Sequence, residues 1–186
     1  MPKTGNLRDF WMDELKDLYN MEGQILKVLP RLVKTAGSDD LRDALEHHRK
    51  QTEGQVERLD RIFDQLGMPA RGKKCSGMEG ILAEGKELLE EDLPEPVADA
   101  AMIGAAQRVE HYEIAAYGTA RTHAQILGES DAAQLLEETL EEEKAADQKL
   151  TQIAEDINPE AEQETSARAG GNGEMATSPR RTTARR

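Results

Sequence analysis

The sequence predicts an all-α protein, a bundle of four long helices with a short crossover helix between the second and the third. The 186 residues include only 3% aromatic residues and seven prolines, and Ala, Leu, Glu, Lys and Gln dominate the rest. That composition favours long helices over β-sheet. Apolar residues recur every three or four positions over four long stretches, as expected for helices that bury one face.

Charge and cysteine content narrow the class of protein. The net charge of −13 argues against a general nucleic-acid binder, since phosphate binding requires a cationic surface. Cys75 is the single cysteine, so an internal disulfide framework and a thiolate metal cluster within one chain are both excluded. The absence of a signal peptide and of a long apolar run predicts a soluble cytoplasmic protein with no membrane segment.

The first two long helices are predicted from periodicity and their end signals. Residues 6–35 carry apolar side chains at helical spacing, and Gly37 follows as a stop. Ser38 is a suitable cap for the second helix, which is predicted up to residue 66 and ends before Gly67. A short turn therefore joins them.

The rest of the chain predicts one short helix and two long ones. Residues 78–91 form a short amphipathic segment, read as the crossover helix. The third long helix is predicted over 97–127 and closed by Gly128, and the fourth over 130–157, ending before Asn158. Two long helices, a crossover and two more long helices are the connectivity of ferritin-like bundles.

The last 29 residues differ in composition from the rest. Residues 158–186 are rich in Ala, Gly, Ser, Thr, Glu and Arg, with almost nothing to bury. We therefore predict two regions, a helical bundle over 1–157 and a disordered tail over 158–186. The tail holds five arginines and four glutamates, a weak signal for contact with DNA or membrane.

Every long helix carries polar residues in its core stripe, near the middle of its length. The interruptions are Glu22 in the first helix, His48, Thr52 and Gln55 in the second, Glu110 and Glu113 in the third, and Glu143 and Asp147 in the fourth. Packed side by side, these residues would share one level of the bundle. An unpaired carboxylate in a dry core is costly, and the nearby Lys and Arg residues fall mostly on outward positions.

Metal ions would supply the missing positive charge. Carboxylates that bridge two ions are the usual solution in a four-helix bundle, and hard oxygen ligands favour Fe or Mn over soft metals. A single inward glutamate is as well explained by protonation or pairing, but four helices that turn polar at one level favour the metal. We expect His48 to support the site by hydrogen bonding. Tyr112 or Tyr117 could supply a hydrogen bond or an electron, although Tyr117 is more simply explained as a core residue.

Other polar residues have simpler explanations. Three histidines lie off the stripe and are expected at the surface, namely His47, His111 and His123. The acidic run Glu137, Glu138, Glu141 and Glu142 is expected to be a solvated helix face, and Cys75 to be structural. The apolar side chains Phe10, Trp11 and Met21 point outward in the predicted first helix, so they either form a dimer contact or cover the bundle end.

Two segments of the chain resemble the YciF-like stress-protein family, a ferritin-like group also described as a domain of unknown function. They are residues 106–119, AQRVEHYEIAAYGT, and residues 139–150, TLEEEKAADQKL, with support from 74–85, KCSGMEGILAEG, and 52–59, TEGQVERL. The resemblance covers about 6–158.

That resemblance implies a bundle that is dimeric, associated with bacterial stress responses and equipped with a proposed dimetal centre. By position, the carboxylate ligands would be Glu22, Glu110, Glu113, Glu143 and Asp147, with Gln55 completing the side of the second helix. The wider rubrerythrin and ferritin pattern has Glu-x-x-His motifs on two helices, and this sequence has neither. The lack of these two motifs argues against rubrerythrin-like peroxidase chemistry, but it does not exclude a metal site.

Two functions follow from these observations. The first is a dimetal Fe or Mn protein, with two ions per chain, that reacts with oxygen or peroxide. The second is a non-enzymatic metal-binding or structural stress protein whose site only stabilises the bundle. The sequence identifies no catalytic residue, substrate or electron donor.

Overall fold

The computed structural model describes residues 5–171, of which 165–171 are described as backbone alone. Over that range the chain forms five helices and no strand: α1 (Leu7–Thr35), α2 (Asp39–Gln65), α3 (Ser76–Leu88), α4 (Glu95–Leu127) and α5 (Ser130–Gly171). The predicted all-α class is confirmed, and the short helix does lie between the second and third long ones. None of the helices in this range combines the length and the apolarity that crossing a membrane requires.

Side-chain pairs give the directions of the long helices. The start of α1 meets the start of α5 through Arg8 and Glu129, whereas Gly37, just after α1, meets Asp99 near the start of α4. Together with the pair of Glu14 and His123, these contacts make α1 and α4 antiparallel. Arg58 donates to Thr139 and Gln55 to Glu143, so α2 and α5 are antiparallel as well. The helices α2 and α4 therefore run in the same direction, and α3 lies in the connection that returns the chain, packed on α4 and α1.

Local signals account for most helix ends. The Asn6 side chain accepts a hydrogen bond from the Asp9 amide at 2.9 Å, and Ser38 accepts one from the Leu41 amide at 3.4 Å. Gly128 ends α4 in the left-handed conformation, at φ 77°, which glycine adopts without steric cost. These ends agree with the predicted ones.

Gly37 has a different role from the predicted helix stop. Its φ is not positive, and α1 already ends at Thr35. A Cβ at this position would clash with the side chain of Glu95, which is exposed and would have to move aside. Asp99, buried in α4, accepts hydrogen bonds from the amides of Gly37 at 3.0 Å and Ser38 at 2.7 Å. The α1–α2 turn is thus bound to α4 by one carboxylate.

The fourth long helix extends past its predicted end before Asn158, so that boundary was wrong. Pro159 lies inside α5, which continues to Gly171. Proline removes one backbone hydrogen bond, but the residues around it are exposed, so water can satisfy the freed carbonyl of Glu155. Buried Ile157 still anchors this part of the helix. The predicted tail residues 172–186, with Arg180, lie outside the described residues, and the division into bundle and tail stays a prediction.

The core lies between the four long helices and contains two residues that we expected to point outward. Trp11 is 0% exposed and Met21 is 1% exposed, whereas Phe10 is 46% exposed. The prediction was wrong for Trp11 and Met21 because the buried face of α1 is wider than the single seam predicted. It includes Trp11, Leu15, Leu18 and Met21. Neither Trp11 nor Met21 is therefore available for a dimer contact.

Candidate metal centre

The interrupted core stripes meet in the middle of the bundle. Glu22, Gln55, Glu113 and Glu143 are 0% exposed and Glu110 is 3% exposed. Because the four long helices pack with antiparallel neighbours, positions near the middle of each helix reach the same level. The bundle therefore buries four glutamates and one glutamine, each predicted from sequence.

The structure brings three of these glutamates together with His48. One ligand atom from each of His48, Glu110, Glu113 and Glu143 lies within 4.8 Å of the others. We call these four residues the central cluster. A distance of this size allows the four atoms to surround one cation without rearrangement of the helices.

Two hydrogen bonds hold neighbouring residues against the central cluster. The Gln55 amide donates to Glu143, and the Tyr117 hydroxyl donates to Glu22. Tyr117 is 0% exposed, so the residue read as core also makes the hydrogen bond considered for it. These bonds satisfy one oxygen of Glu143 and one of Glu22.

Most of the remaining ligand atoms have no hydrogen-bond partner. Of the ten buried side-chain N and O atoms without a partner in the described residues, eight belong to Glu22, His48, Gln55, Glu110, Glu113 and Glu143. Buried polar atoms are nearly always paired, so a concentration at one level is unusual. Carboxylate and imidazole groups are ligands that Fe and Mn accept. The residues present therefore fit a metal ion.

The electrostatics of the site also favour a cation. Burial raises the pKa of Glu22 to about 8, and the charge of Glu143 adds to that shift. Burial, followed by the same neighbouring charge, raises the pKa of Glu110 and of Glu113 well above the usual range. Without a cation, part of the cluster must hold protons, because several negative charges cannot share a dry interior.

His48 stands closer to the ligands than we expected. It is 6% exposed, its Nε2 lies 3.5 Å from Glu110 Oε1, and neither ring nitrogen has a hydrogen-bond partner. Burial lowers the pKa of His48, against the charge of Glu143, which raises it. A neutral imidazole with an unpaired nitrogen is the form that binds a metal directly. Sequence alone did not separate this role from a supporting one.

Among the predicted ligands outside the central cluster, Glu22 and Gln55 are fully buried, whereas Asp147 is partly exposed. Its side chain is 21% exposed, and Oδ1 lies 3.0 Å from the donor Nε2 of Gln107 and 3.4 Å from Nε2 of His111. Its charge still contributes to the raised pKa of Glu110. Asp147 therefore lies at the edge of the site, with partners of its own.

Sequence reasoning missed a cation beside the cluster. Arg58 is 16% exposed and forms an ion pair with Glu142, which also accepts a hydrogen bond from Gln55 at 3.1 Å. Glu142 is therefore part of the wall of the site and not simply a solvated residue. The signal was present in the spacing, since Arg58 follows Gln55 by three positions and so lies on the same helix face. Its one charge pairs with Glu142 and also lowers the pKa of Glu22, but burial and the charge of Glu143 outweigh it.

The remaining histidines and Cys75 lie outside the site. His47 and His111 are exposed as predicted, but His123 is only 20% exposed and pairs with Glu14 at 2.7 Å. Cys75 is 4% exposed, with Sγ 3.4 Å from the Tyr112 hydroxyl. That hydrogen bond, followed by burial, raises the pKa of Tyr112 to about 12.

Comparisons with known proteins agree with this architecture. Residues 6–163 match the family described as Domain of unknown function (DUF892). Protein YciF of Escherichia coli (strain K12) is 42% identical over 158 residues, which are 84% of this chain and 95% of YciF.

Solved structures extend the comparison to the fold. The crystal structure of the E. coli stress protein YciF matches with a TM-score of 0.81 and 41% identity, covering 84% of this chain and 99% of YciF. YcfI from Rhodopseudomonas palustris matches with a TM-score of 0.79 and 39% identity, covering 81% and 96% of the two chains. A protein from Xanthomonas campestris shares the fold at 20% identity, with a TM-score of 0.70 over 87% of this chain and 99% of that one.

Proposed function

This chain belongs to the family described as Domain of unknown function (DUF892), and we propose that it is a ferritin-like stress-response protein that binds two Fe or Mn ions in the bundle core. The stress role is carried over from E. coli YciF, which is described as a stress protein. The metal role rests on the site in this chain.

One observation carries the metal proposal. Eight buried, unpaired ligand atoms lie in the middle of the bundle, on side chains from all four long helices. Protonation can neutralise carboxylates and let Glu22 pair with Glu113 and Glu110 with Glu143, but both ring nitrogens of His48 still have no partner. Two cations would satisfy both the charge and the coordination, with the central cluster and Glu22 as the ligands and Gln55 beside them.

The helix directions support the ferritin-like part of the proposal. In that architecture one long connection lets the second and third long helices run in the same direction, as α2 and α4 do. Ligands in such bundles come from facing helices at mid-height, which is the location of the glutamates here.

We further propose that the loaded centre reacts with oxygen or peroxide. Bound Fe or Mn would supply a Lewis acid and a one-electron redox couple. The chain's own residues shield the glutamates from bulk water, since these are 0% to 3% exposed, and Tyr117 orients Glu22 through its hydroxyl. If the centre turns nothing over, the protein is instead a metal-stabilised structural stress protein.

The test is metal content measured beside a matched pair of variants. Protein purified without chelator, and protein reconstituted anaerobically with Fe(II) or Mn(II), is analysed by elemental mass spectrometry. Glu143→Gln removes a central ligand. Glu141→Gln is the control, because Glu141 is on the same helix, 61% exposed, and paired with Lys144.

We expect two ions per chain in the wild type and in Glu141→Gln, and fewer in Glu143→Gln. Oxygen and peroxide consumption by the Fe(II)-loaded protein then separates the redox enzyme from the structural alternative. Absence of metal after reconstitution would overturn the proposal, because the glutamates would then be neutralised by protons alone.

The homodimer also stays a proposal, and its basis is the family resemblance. Phe10 and Ile126 are the large hydrophobic side chains exposed within the described residues, at 46% and 68%. They lie at one end of the bundle, near the start of α1 and the end of α4. Sedimentation equilibrium of the full chain tests the dimer, and a monomer at micromolar concentration would overturn it.

A further inference from the structure

A cavity of about 490 Å³ enters the bundle beside the central cluster. All five helices contribute to its wall, and most of the lining is aliphatic, including Ile25, Leu29, Leu45, Leu82 and Leu150. The buried polar groups that line it are His48 and Glu110, both part of the central cluster. A cavity of this size falls in the range that holds a small organic molecule.

The polar groups of the cavity are separated by depth. Asp40, Asp43 and Lys149 are exposed and lie at the rim. His48 and Glu110 are 6% and 3% exposed, so they form the inner end. A bound molecule would therefore have its apolar body along the aliphatic wall and a polar group at the inner end.

The charges decide which polar group fits. At the rim, the two carboxylates of Asp40 and Asp43 outnumber the one cation, Lys149, so an anionic molecule is disfavoured where it enters. An ammonium would be repelled by the positive ions of the loaded centre. A neutral hydroxyl or carbonyl avoids both costs and can use the ring nitrogen of His48 that does not bind metal.

We infer that this cavity is the substrate pocket of the centre and takes a mainly aliphatic molecule with one neutral oxygen group, such as an alcohol, aldehyde or ketone. As a substrate pocket it rests on the proposed function, but the binding of the molecule depends on the cavity wall. An experiment can therefore disprove the pocket without disproving the metal centre, and the reverse.

Isothermal titration calorimetry of the metal-loaded full chain with 1-octanol, octanoate and octylamine tests the inference. We expect 1-octanol to bind at one site, at least about tenfold more tightly than the two charged molecules, a difference of about 1.4 kcal/mol. Binding should show a negative heat-capacity change, because apolar surface is buried.

Two variants fill the cavity from opposite walls. Ala44→Phe acts from α2 and Ala146→Leu from α5, and both alanines are half-buried wall residues. Each should weaken 1-octanol binding at least about tenfold while metal content and helical circular dichroism stay unchanged. Ala115→Leu is the control, since Ala115 is exposed on α4 and does not line the cavity.

The outcomes distinguish the pocket from the metal centre. If the wild type binds metal but not 1-octanol, or if both cavity-filling variants bind 1-octanol as tightly as the wild type, the pocket is disproved and the proposed function is unaffected. Binding of 1-octanol by a wild type that takes up no metal would overturn the proposed function and keep a ligand pocket. Tighter binding of octanoate than of 1-octanol would reject the neutral-ligand assignment.

Discussion

The two halves of the bundle on either side of the central cluster are filled differently. The aromatic half contains Trp11, Phe63 and Tyr117, which are all 0% exposed, together with Leu15 and Leu136. The aliphatic half contains Leu29, Leu45, Ile103, Leu150 and Ile153, and the buried residues described there include no aromatic side chain. The large cavity lies in the aliphatic half.

Side-chain shape explains the difference. An aromatic ring fills a large volume with few rotatable bonds, so three rings can close the space between four helices. The aliphatic half has no ring to fill the space beside the central cluster, and the cavity lined by Leu29, Leu45 and Leu150 lies there. A second cavity, of about 250 Å³, lies near Cys75 and Tyr112 and touches no residue of the central cluster. The aromatic half is therefore closely filled beside the central cluster, whereas in the aliphatic half a cavity reaches His48 and Glu110.

The largest change in the free energy of unfolding should come from Leu→Ala substitutions, one in each half. Leu15→Ala, in the aromatic half, should lower the free energy of unfolding by about 4 kcal/mol, because a closed core leaves a full cavity behind. Leu45→Ala, on the cavity wall, should cost only about 2 kcal/mol, since that side chain already borders empty space. Urea denaturation measures both, and equal losses would contradict the difference between the halves.

The next largest effect is a dependence of stability on pH, which comes from the buried glutamates between the two halves. The pKa of the Glu22 carboxyl rises to about 8 in the folded protein from an ordinary value of 4.5, so the folded state holds a proton that the unfolded state has released. Metal-free protein should therefore lose stability, by the order of a few kcal/mol, as the pH rises from about 4.5 to about 8. Thermal unfolding across that range measures the slope.

Metal should reverse this trend, because ions bind the deprotonated carboxylates and stabilise the folded state at the upper end of the range. Glu22→Gln removes one titrating group and should flatten the slope of the metal-free protein. Stability that increases with pH in the absence of metal would contradict protonated glutamates in the core.

A smaller effect is expected where α4 holds the α1–α2 turn, at the end of the aliphatic half. Asp99→Asn keeps one acceptor and places an amide group against a backbone N–H, so the free energy of unfolding should fall by about 1.5 to 3 kcal/mol. Asp92→Asn is the control, since Asp92 is exposed in the loop before α4. Similar values for both variants would mean that the turn is held by packing alone.

The smallest loss of stability is expected when the N-cap side chains of α1 and α2, at opposite ends of the bundle, are removed. Asn6→Ala should cost about 1 kcal/mol, because its side chain accepts a 2.9 Å hydrogen bond at the start of α1. Ser38→Ala should cost about 0.5 kcal/mol, since its hydrogen bond is 3.4 Å long. Chemical denaturation resolves the two, and a larger loss at Ser38 would reverse the expected order.

Much of the fold was predictable because it depends on local signals. Periodicity located the five helices, and Ser38 and Gly128 marked ends that the structure confirms. Pro159 misled the prediction, because a helix can continue through a proline when water can satisfy the freed carbonyl, and exposure is not a local property. The positions of Trp11 and Met21 were wrong for a similar reason, because the width of a buried stripe depends on the neighbouring helices.

The sequence by itself determined that four helices carry acidic or amide residues at mid-height in their core stripes. A helix repeats every 3.6 residues, so spacing along the chain is enough to identify a buried face. Only the tertiary structure decided that His48 joins Glu110, Glu113 and Glu143, that Asp147 lies at the edge, and that a cavity reaches the cluster. Those facts depend on how far apart the helices lie and how each is rotated, and these quantities are set by packing between segments distant in the chain.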